Sequence, residues 1–389
     1  MRDSRTNTRL GLYVLLAAWL AGGNVAVALS NREPPGRQRG QVKLSIAAVS
    51  PYQPLEGKLC RLEKRLFADA ADGKLDEHSL AAAALVASGV DDPCALERYE
   101  DQLDGLVAEL RRSGAVAGSP RERARVVFEF MHRRILRTGY ERDCSNLTAA
   151  LDEGRFNCVS ASVLFVCLSG RFGLNARGLE VPGHAMCRLV LPGRTLDVET
   201  TCPRWFELID RPRKLAELIE KTTGFHHLAD RSPGQYREVS GIELVATIYY
   251  NRGVDLLARK RFARALAANA KALRLDASNP TALGNLLATL NNWAIDRGNL
   301  SRYAEAVGLL RQGLALRPNY SVLTQNYVHV HRQWVEHLCR ARRFDEALQV
   351  LARAAKERPG EAYFKQARFD VSRRKTDPAP RTGRQKRGS

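Results

Sequence analysis

The spacing of apolar residues along the chain indicates helices first, strands in the middle and helices again towards the end. Residues 53–136 have a helical pattern, with helices predicted at about 76–88 and 94–112. A third helix is predicted to begin after Ser119, which is followed by proline and, three positions on, by the glutamate of a capping box. This part of the chain is therefore predicted to be helical.

The middle of the chain combines one apolar run with a period-two pattern. Residues 157–169 form an apolar run long enough for a buried helix, and glycines follow its end. Strands are predicted at 176–181, at 184–191 and at 195–200, the last two on either side of a Pro-Gly turn. A buried helix beside a hairpin predicts the α+β class.

From about residue 242 the chain repeats itself. An aromatic residue with alanine three positions later recurs at intervals of 41 residues, at Phe262, Tyr303 and Phe344. Such a period is typical of stacked helix pairs, and a generic helical bundle is the alternative. Because helix-pair repeats are often about 34 residues long, we expect the first helices of the later pairs, which carry Trp293 and Trp334, to be long.

Residue types that cooperate in thiol chemistry occur in order within about forty residues. Cys158 opens the apolar helix, His184 begins the hairpin, and Asp197 and Glu199 lie on the returning strand. A cysteine reacts as its thiolate, which a helix N-terminus and a facing histidine both favour. A carboxylate would orient the histidine, and the helix-terminal amides would hold an oxyanion. Asp197 and Glu199 have the same strand parity, so this pattern leaves both open.

This order of residues resembles the transglutaminase-like core of the papain-type superfamily. The family's strand motifs, His-Ala, Leu-Pro-Gly and Asp-Pro-Thr, correspond here to His184 with its alanine, to the turn after Leu191 and to Glu199 with two threonines. The resemblance implies catalytic roles for Cys158, His184 and Glu199. Asp197 stays the alternative acid, because the chain has glutamate where the family has aspartate.

A closer resemblance is to the bacterial SirB-type proteins, which join this core to tetratricopeptide repeats. It rests on the segments 80–87 and 99–106 and covers roughly residues 75–205 together with the repeats. It implies a papain/transglutaminase-like core with N-terminal helices, followed by an all-α repeat domain that binds a protein or peptide partner. The implied activity is that of a cysteine hydrolase or acyltransferase. Some members lack the cysteine, so a non-catalytic scaffold is the alternative.

Composition and charge bear on cofactors and partners. The chain has eight cysteines but no Cys-x-x-Cys pair, so we expect no metal and no cofactor. The net charge is +19, and residues 371–389 are rich in arginine and lysine. This composition predicts a disordered tail that touches an anionic surface. No nucleic-acid motif is present, and we expect no specific nucleic acid as a partner.

The predicted organisation has six segments. They are a signal peptide or anchor at 1–28, a basic linker at 29–52, the transglutaminase-like domain with its N-terminal helices at 53–205, a connector at 206–241, the repeats at 242–370 and the basic tail at 371–389.

The N-terminal segment predicts export. Arginines precede an apolar stretch at 10–21, and Ala26-Val27-Ala28 has the spacing of a cleavage site. The whole stretch is about twenty residues long, so an uncleaved membrane anchor that leaves the protein facing outside the cytoplasm is the alternative.

We therefore expect the mature protein to begin near Leu29 and to be found outside the cytoplasm, for example in the periplasm. Intact-mass measurement on cell fractions tests this expectation. The full-length mass in the membrane fraction would indicate the anchor, whereas the full-length mass in the cytosolic fraction would contradict both versions.

Overall fold

The computed structural model describes residues 51–114, 116–181, 183–224 and 236–376. The expected signal segment, nearly all of the expected basic linker and the end of the expected tail lie outside the described residues. The chain divides into two compact units, one ending at Thr289 and the other beginning at Leu290. We call their described parts the core unit and the repeat unit. No helix within the described ranges is both long enough and apolar enough to cross a membrane.

The core unit is of the α+β class. Its helices are α1 (Arg61–Asp69), α2 (Leu80–Ser88), α3 (Pro93–Arg112), α4 (Pro120–Arg134), α5 (Leu147–Glu153), α6 (Cys158–Arg171), α7 (Trp205–Leu208), α8 (Pro212–Thr223), α9 (Gly241–Ala258), α10 (Phe262–Leu275) and the first half of α11 (Pro280–Asn299). Its strands are β1 (Gly139–Tyr140), β2 (Arg155–Phe156), β3 (Asn175–Val181), β4 (His184–Leu191), β5 (Arg194–Val198) and β6 (Arg237–Val239).

The predicted helix and hairpin form the centre of this unit. The larger sheet has the order β5–β4–β3–β6 and is antiparallel throughout. The turn between β4 and β5 contains Gly193 at φ +74°, a conformation that glycine adopts without strain. Helix α6 packs on β3 and β4. Helix α6 and strands β3, β4 and β5 each begin and end within two residues of the predicted ranges.

The N-terminal helices agree with the sequence at their caps. Ser119 and Glu122 form the expected capping box of α4. Helix α2 begins at Leu80, later than the predicted residue 76, and the reason is local. The carboxylate of Asp69 accepts backbone N–H bonds from residues 76–78, each at 2.9 Å, which holds them outside the helix. Ser79 then caps α2.

The segment predicted as a connector, 206–241, contains regular structure. Besides α8, it contains β6, which pairs antiparallel with β3 at the edge of the sheet. Val239 of β6 is 2 % exposed, so the strand is part of the core. A strand of three residues is too short to show a period-two pattern, which explains why the sequence does not reveal it.

The predicted domain boundary at residue 242 is also displaced. Helix α9 packs on α2, α6 and β3, as well as on its repeat partner α10. Leu244, Ile248 and Tyr249 of α9 are at most 1 % exposed. A helix that is apolar on most of its sides must be covered on most of its sides. The first repeat therefore belongs to the core unit, and the division falls inside α11.

Charged contacts add to the attachment of the first repeat. Lys271 of α10 forms an ion pair with Glu63 of α1 at 2.6 Å. Arg237 of β6 binds Asp276, just beyond α10, at 2.5 Å and Glu180 of β3 at 2.9 Å. The side chain of Asp276 is 2 % exposed, so this contact is shielded from solvent, unlike a surface ion pair.

The repeat unit contains the second half of α11 and four further helices. These are α12 (Tyr303–Leu316), α13 (Ser321–Arg340), α14 (Phe344–Glu357) and α15 (Ala362–Thr376). In sequence order, α12 packs on α13, α13 on α14 and α14 on α15. The expected long helices are present, since α11 and α13 each have 20 residues.

The period of 41 residues is present in the backbone as well as in the sequence. Helices α10, α12 and α14 each have 14 residues, and each follows a residue at positive φ. These residues are Lys260 (55°), Ser301 (59°) and Arg342 (59°). The alanines of the motif, Ala265, Ala306 and Ala347, are fully buried. The chain therefore contains a helical repeat of this length.

The predicted disordered tail, 371–389, begins with ordered structure. Helix α15 continues to Thr376, and Val371 is 2 % exposed. Arg374 and Lys375 pair with Glu336 and Asp345, at 3.0 and 2.5 Å. Basic side chains in the last turn also suit the negative end of a helix. The expected start of the tail is therefore wrong by six residues, and residues 377–389 lie outside the described part.

A chain that ends at residue 238 should lose cooperative unfolding, whereas one that ends at residue 289 should retain it. The shorter chain lacks Leu244, Ile248 and Tyr249, and each buried apolar side chain of this size contributes about 1.5–3 kcal/mol. That loss is comparable with the whole stability of a typical domain, about 5–15 kcal/mol. Thermal melts followed by circular dichroism test this expectation. Equal melting temperatures for the two chains would restore the boundary at residue 242.

Candidate active site

Cys158 is the first residue of α6 and is 1 % exposed. The preceding Asn157 caps the helix, because its Oδ1 accepts the amides of Val159 at 2.9 Å and Ser160 at 3.2 Å. Its Nδ2 donates to the carbonyl of Arg142 at 2.9 Å, which fixes the preceding loop. Two of the helix-terminal amides expected to hold an oxyanion are therefore engaged by the cap, and the amide of Cys158 is the donor that remains beside the sulfur.

His184 is the first residue of β4, and its side chain is 1 % exposed. Its Nε2 lies 2.7 Å from Oε2 of Glu199. Because Nε2 is engaged by the carboxylate, Nδ1 is the ring nitrogen left for Cys158, with which His184 interacts. Cys158 and His184 also line one cleft. The structure thus brings together the cysteine, the histidine and one of the two candidate acids.

Glu199 lies just beyond the end of β5 and is 2 % exposed. Oε1, the carboxylate oxygen that does not bind His184, accepts two hydrogen bonds from Thr201. The donors are the backbone amide at 3.0 Å and the hydroxyl at 2.6 Å. Both carboxylate oxygens therefore have partners, as a buried charge requires. The threonine that follows the acid in the sequence motif holds it in place.

The three groups set one another's charge. Burial alone would lower the pKa of His184, but the negative charges of Glu199 and of the Cys158 thiolate raise it to about 10. Burial alone would raise the pKa of Glu199, but the charge of His184 and the donors of Thr201 lower it overall. The imidazole is therefore held as a cation at neutral pH, beside the ionised carboxylate of Glu199.

Asp197, the alternative acid, binds an arginine and not His184. It forms a two-pronged ion pair with Arg188, its partner across β4 and β5, at 2.6 and 2.8 Å. Arg188 lies four residues along β4 from His184, which is roughly 13 Å at about 3.3 Å per residue. Parity places both acids on one face, but the structure brings Glu199 and not Asp197 into contact with His184.

Tyr140 is a site residue that sequence reasoning missed. It lies on β1, which runs parallel to β2 with Tyr140 opposite Phe156, two residues before Cys158. Burial raises the pKa of Tyr140, and the charges of Cys158 and Glu199 raise it further. The tyrosine is therefore neutral, and its buried hydroxyl lies close to Cys158. A strand of two residues leaves no signal in the sequence pattern.

His132 of α4 closes the side of the site behind the carboxylate. Its ring packs against Phe128 and Phe156, with centroids 4.6 and 5.9 Å apart. Burial lowers the pKa of His132 to about 4, although the Thr200 backbone and Glu199 nearby act in the opposite direction. His132 is thus neutral where His184 is charged, and it helps to exclude water from Glu199.

The cleft in front of Cys158 has walls from two parts of the core unit. One wall comes from α6 and from the ends of β3 and β4, including Gly183. The other comes from α9 and the first half of α11, with Tyr250, Asn251, Val254, Thr281 and Asn285. The enclosed volume is about 60 Å³. The first helical repeat and the beginning of the second therefore complete the cleft.

The other cysteines lie in different surroundings. All eight cysteines are free thiols, and burial raises the pKa of Cys167 to about 12 and that of Cys202 to about 11. Over the described ranges, one group of potential metal ligands occurs, made of Glu141, Asp143 and Cys144. Arg155 donates to Glu141 at 2.9 Å and to Cys144 at 3.2 Å, which places a positive charge against this group.

Comparison with known proteins identifies the class of the domain. Residues 97–210 match the sequence model of the transglutaminase-like superfamily, so the chain contains a transglutaminase-like domain in this range. A search of curated protein sequences gives no significant match. Among solved structures, the chain is similar to a crystal structure of menin that reveals its binding site for the Mixed Lineage Leukemia protein. The TM-score is 0.37 at 12 % identity, over 78 % of this chain and 69 % of that chain.

The titration of His184 distinguishes the two acids. In the unmodified protein its imidazole should stay charged through neutral pH and titrate near pH 10. Glu199→Gln should move the midpoint strongly downwards, because burial disfavours the charged imidazole and the negative charge of Glu199 no longer offsets it. Asp197→Asn should leave it unchanged, because Asp197 pairs with Arg188. Nuclear magnetic resonance of the histidine rings measures both midpoints, and equal shifts in the two variants would contradict the assignment of Glu199.

Proposed function

We propose that the protein is a thiol-dependent, transglutaminase-like hydrolase or acyltransferase that acts on amides. The observation that carries the proposal is the buried chain of contacts from Glu199 through His184 to Cys158. A general base oriented by a third group and facing a nucleophile is the arrangement that thiol catalysis needs. The transglutaminase-like domain at 97–210, which contains all three residues, supports the same class of chemistry.

In the first step, the Cys158 thiolate attacks the carbonyl carbon of the amide and forms a carbon–sulfur bond. The electron pair of the carbonyl moves to oxygen, and the amide of Cys158 and the hydroxyl of Tyr140 are the donors available to that oxyanion. As it collapses, the carbon–nitrogen bond breaks. His184, which is charged before the step, gives its proton to the departing amine. The products are a thioester on Cys158, a free amine and a neutral imidazole.

In the second step, a water molecule or an amine attacks the thioester. His184 removes the proton of the attacking group, and the carbon–sulfur bond breaks to restore the thiolate and the imidazolium. Water gives a carboxylic acid, as in a peptidase or amidase, whereas an amine gives a new amide, as in cross-linking. Throughout both steps Glu199 keeps the ring oriented and compensates its charge.

A non-catalytic scaffold is the second candidate function. The observation that favours it is the burial of Cys158, which is 1 % exposed in a cleft of about 60 Å³. This space is small for a peptide substrate. Reactivity of the thiol towards a small reagent separates the two candidates, because a scaffold does not require a reactive thiolate.

We propose that the helical repeats are of the tetratricopeptide type, in the arrangement of SirB-type proteins, and that they bind a protein or peptide partner. The period of 41 residues and the buried alanines of α10, α12 and α14 support this assignment. Export to the periplasm or anchoring at a membrane, with a basic tail that contacts an anionic surface, is part of the same proposal and rests on residues outside the described part. Affinity capture with the intact chain tests the partner.

Cys158 should be the cysteine that iodoacetamide alkylates fastest at pH 6–7, and His184→Asn should slow it at least about ten-fold. An ordinary protein thiol is about 1 % ionised at pH 6.5, whereas the imidazolium of His184 holds the Cys158 thiolate by charge. Peptide mass mapping over time gives the rate at each cysteine. Cys94, which is exposed, serves as the internal reference.

The matched control is His337→Asn, which removes an exposed histidine of α13 and should leave all the rates unchanged. If Cys158 reacts no faster than Cys94, or if His184→Asn has no effect, the ion pair is absent and the scaffold is favoured. If Cys158 is fast, incubation with peptide amides and an added amine then identifies hydrolysis or acyl transfer by mass.

A further inference from the structure

We infer that the beginning of the helical repeats is part of the catalytic centre: Thr281 and Asn285 of α11, the first helix of the second pair, hydrogen-bond the peptide backbone of the acyl donor and so set its position over Cys158. Both residues lie outside the transglutaminase-like domain at 97–210. The inference rests on the proposed function, because it concerns the substrate of the same cleft.

Thr281 and Asn285 line the same cleft as Cys158 and His184. They are four residues apart on α11, so their side chains lie on one face of the helix, one turn from each other. Together they place a hydroxyl and a carboxamide on the wall of α9 and α11, across the cleft from the thiol.

Within the described residues, the side chains of Thr281 and Asn285 make no hydrogen bond to another protein group. The neighbouring Asn279 differs, since it donates to Asp276 at 2.9 Å and accepts from the amide of Ala282 at 2.9 Å. Half-buried polar groups without protein partners are available to a ligand. The two residues therefore offer donors and acceptors at the place where a substrate must lie.

The chemistry of the cleft favours an acyl donor that carries no charge. Its carboxylate, Glu180, is compensated by Arg237 at 2.9 Å and accepts from the hydroxyl of Tyr250 at 3.2 Å. The facing wall is formed in part by Gly183 and Ala185, which leave room near the backbone. Hydroxyl and carboxamide groups pair with the N–H and C=O groups of a peptide rather than with an ion.

The wall is also held firmly enough to position a substrate. Glu180 of β3 binds Tyr250 of α9, and Arg237 of β6 joins Glu180 to Asp276, next to the start of α11. These contacts fix the helical wall to the sheet that holds His184. A binding group held in place by packing and hydrogen bonds contributes to orientation, on which the rate of such reactions depends.

The experiment uses the intact chain and two probes of Cys158. One is acetyl-Ala-Ala chloromethyl ketone, which joins an alkylating group to two peptide units, and the other is iodoacetamide, which is too small to reach both residues. Thr281→Val and Asn285→Leu remove the hydrogen-bonding groups and keep the side-chain volumes. Each should slow the peptidyl probe about five-fold, the effect of one lost hydrogen bond, and leave the iodoacetamide rate unchanged.

The matched control is Asn299→Leu, the same substitution at the exposed end of the same helix, which should change neither rate. Unchanged peptidyl rates in Thr281→Val and Asn285→Leu, or rates that fall in step with iodoacetamide, would overturn the inference. An unmodified protein that accepts iodoacetamide but excludes the peptidyl probe would overturn it as well, while leaving the proposed function intact. If Cys158 reacts with neither probe, the proposed function fails and the inference fails with it.

Discussion

The structure depends most on the buried contact between His184 and Glu199. Removing two charges from water is unfavourable, and such a pair is stable only when its remaining atoms are also satisfied. Here Thr201 donates two hydrogen bonds to the second carboxylate oxygen, and the imidazole also interacts with Cys158. Because the pKa of His184 is raised from 6.5 to about 10, its contribution to stability is complete below pH 6.5 and is lost as the pH rises through about 10.

That pair constrains the elements around it. His184 and Glu199 come from the two strands of the hairpin, so the turn at Gly193 and the register of β4 with β5 must be correct for the contact to form. The sulfur comes from α6, whose N-terminus is fixed by Asn157 to the preceding loop. An error of one residue in the register would turn the histidine to the opposite face of the sheet. The site therefore forms only when the turn, the register of the two strands and the N-terminus of α6 are all correctly placed.

Much of this arrangement is predictable from local sequence patterns. The apolar run of α6, the alternation of β4 and the capping box at Ser119 are properties of adjacent residues, and they agree with the structure. The choice between Asp197 and Glu199 is not local, because both have the same parity and only the pairing with Arg188 separates them. The sequence pattern does not indicate the role of Tyr140 either, because a strand of two residues is too short to show a period-two pattern.

The largest departure from the sequence-based prediction is the position of the domain boundary, and it has a functional meaning. The repeat pattern marks α9 and α10 as members of the helical array, and their length and motif residues agree with that description. The near-continuous apolar stretch of α9 gives it a second set of contacts, with α2, α6 and β3. Helix α9 therefore has two roles, because it pairs with α10 as a member of the repeat array and also packs against the elements of the core. Because its Tyr250 and the adjoining α11 line the cleft of Cys158, a change in the first repeat alters the space in front of the sulfur. In this protein the thiol site and the beginning of the repeats form one structural unit.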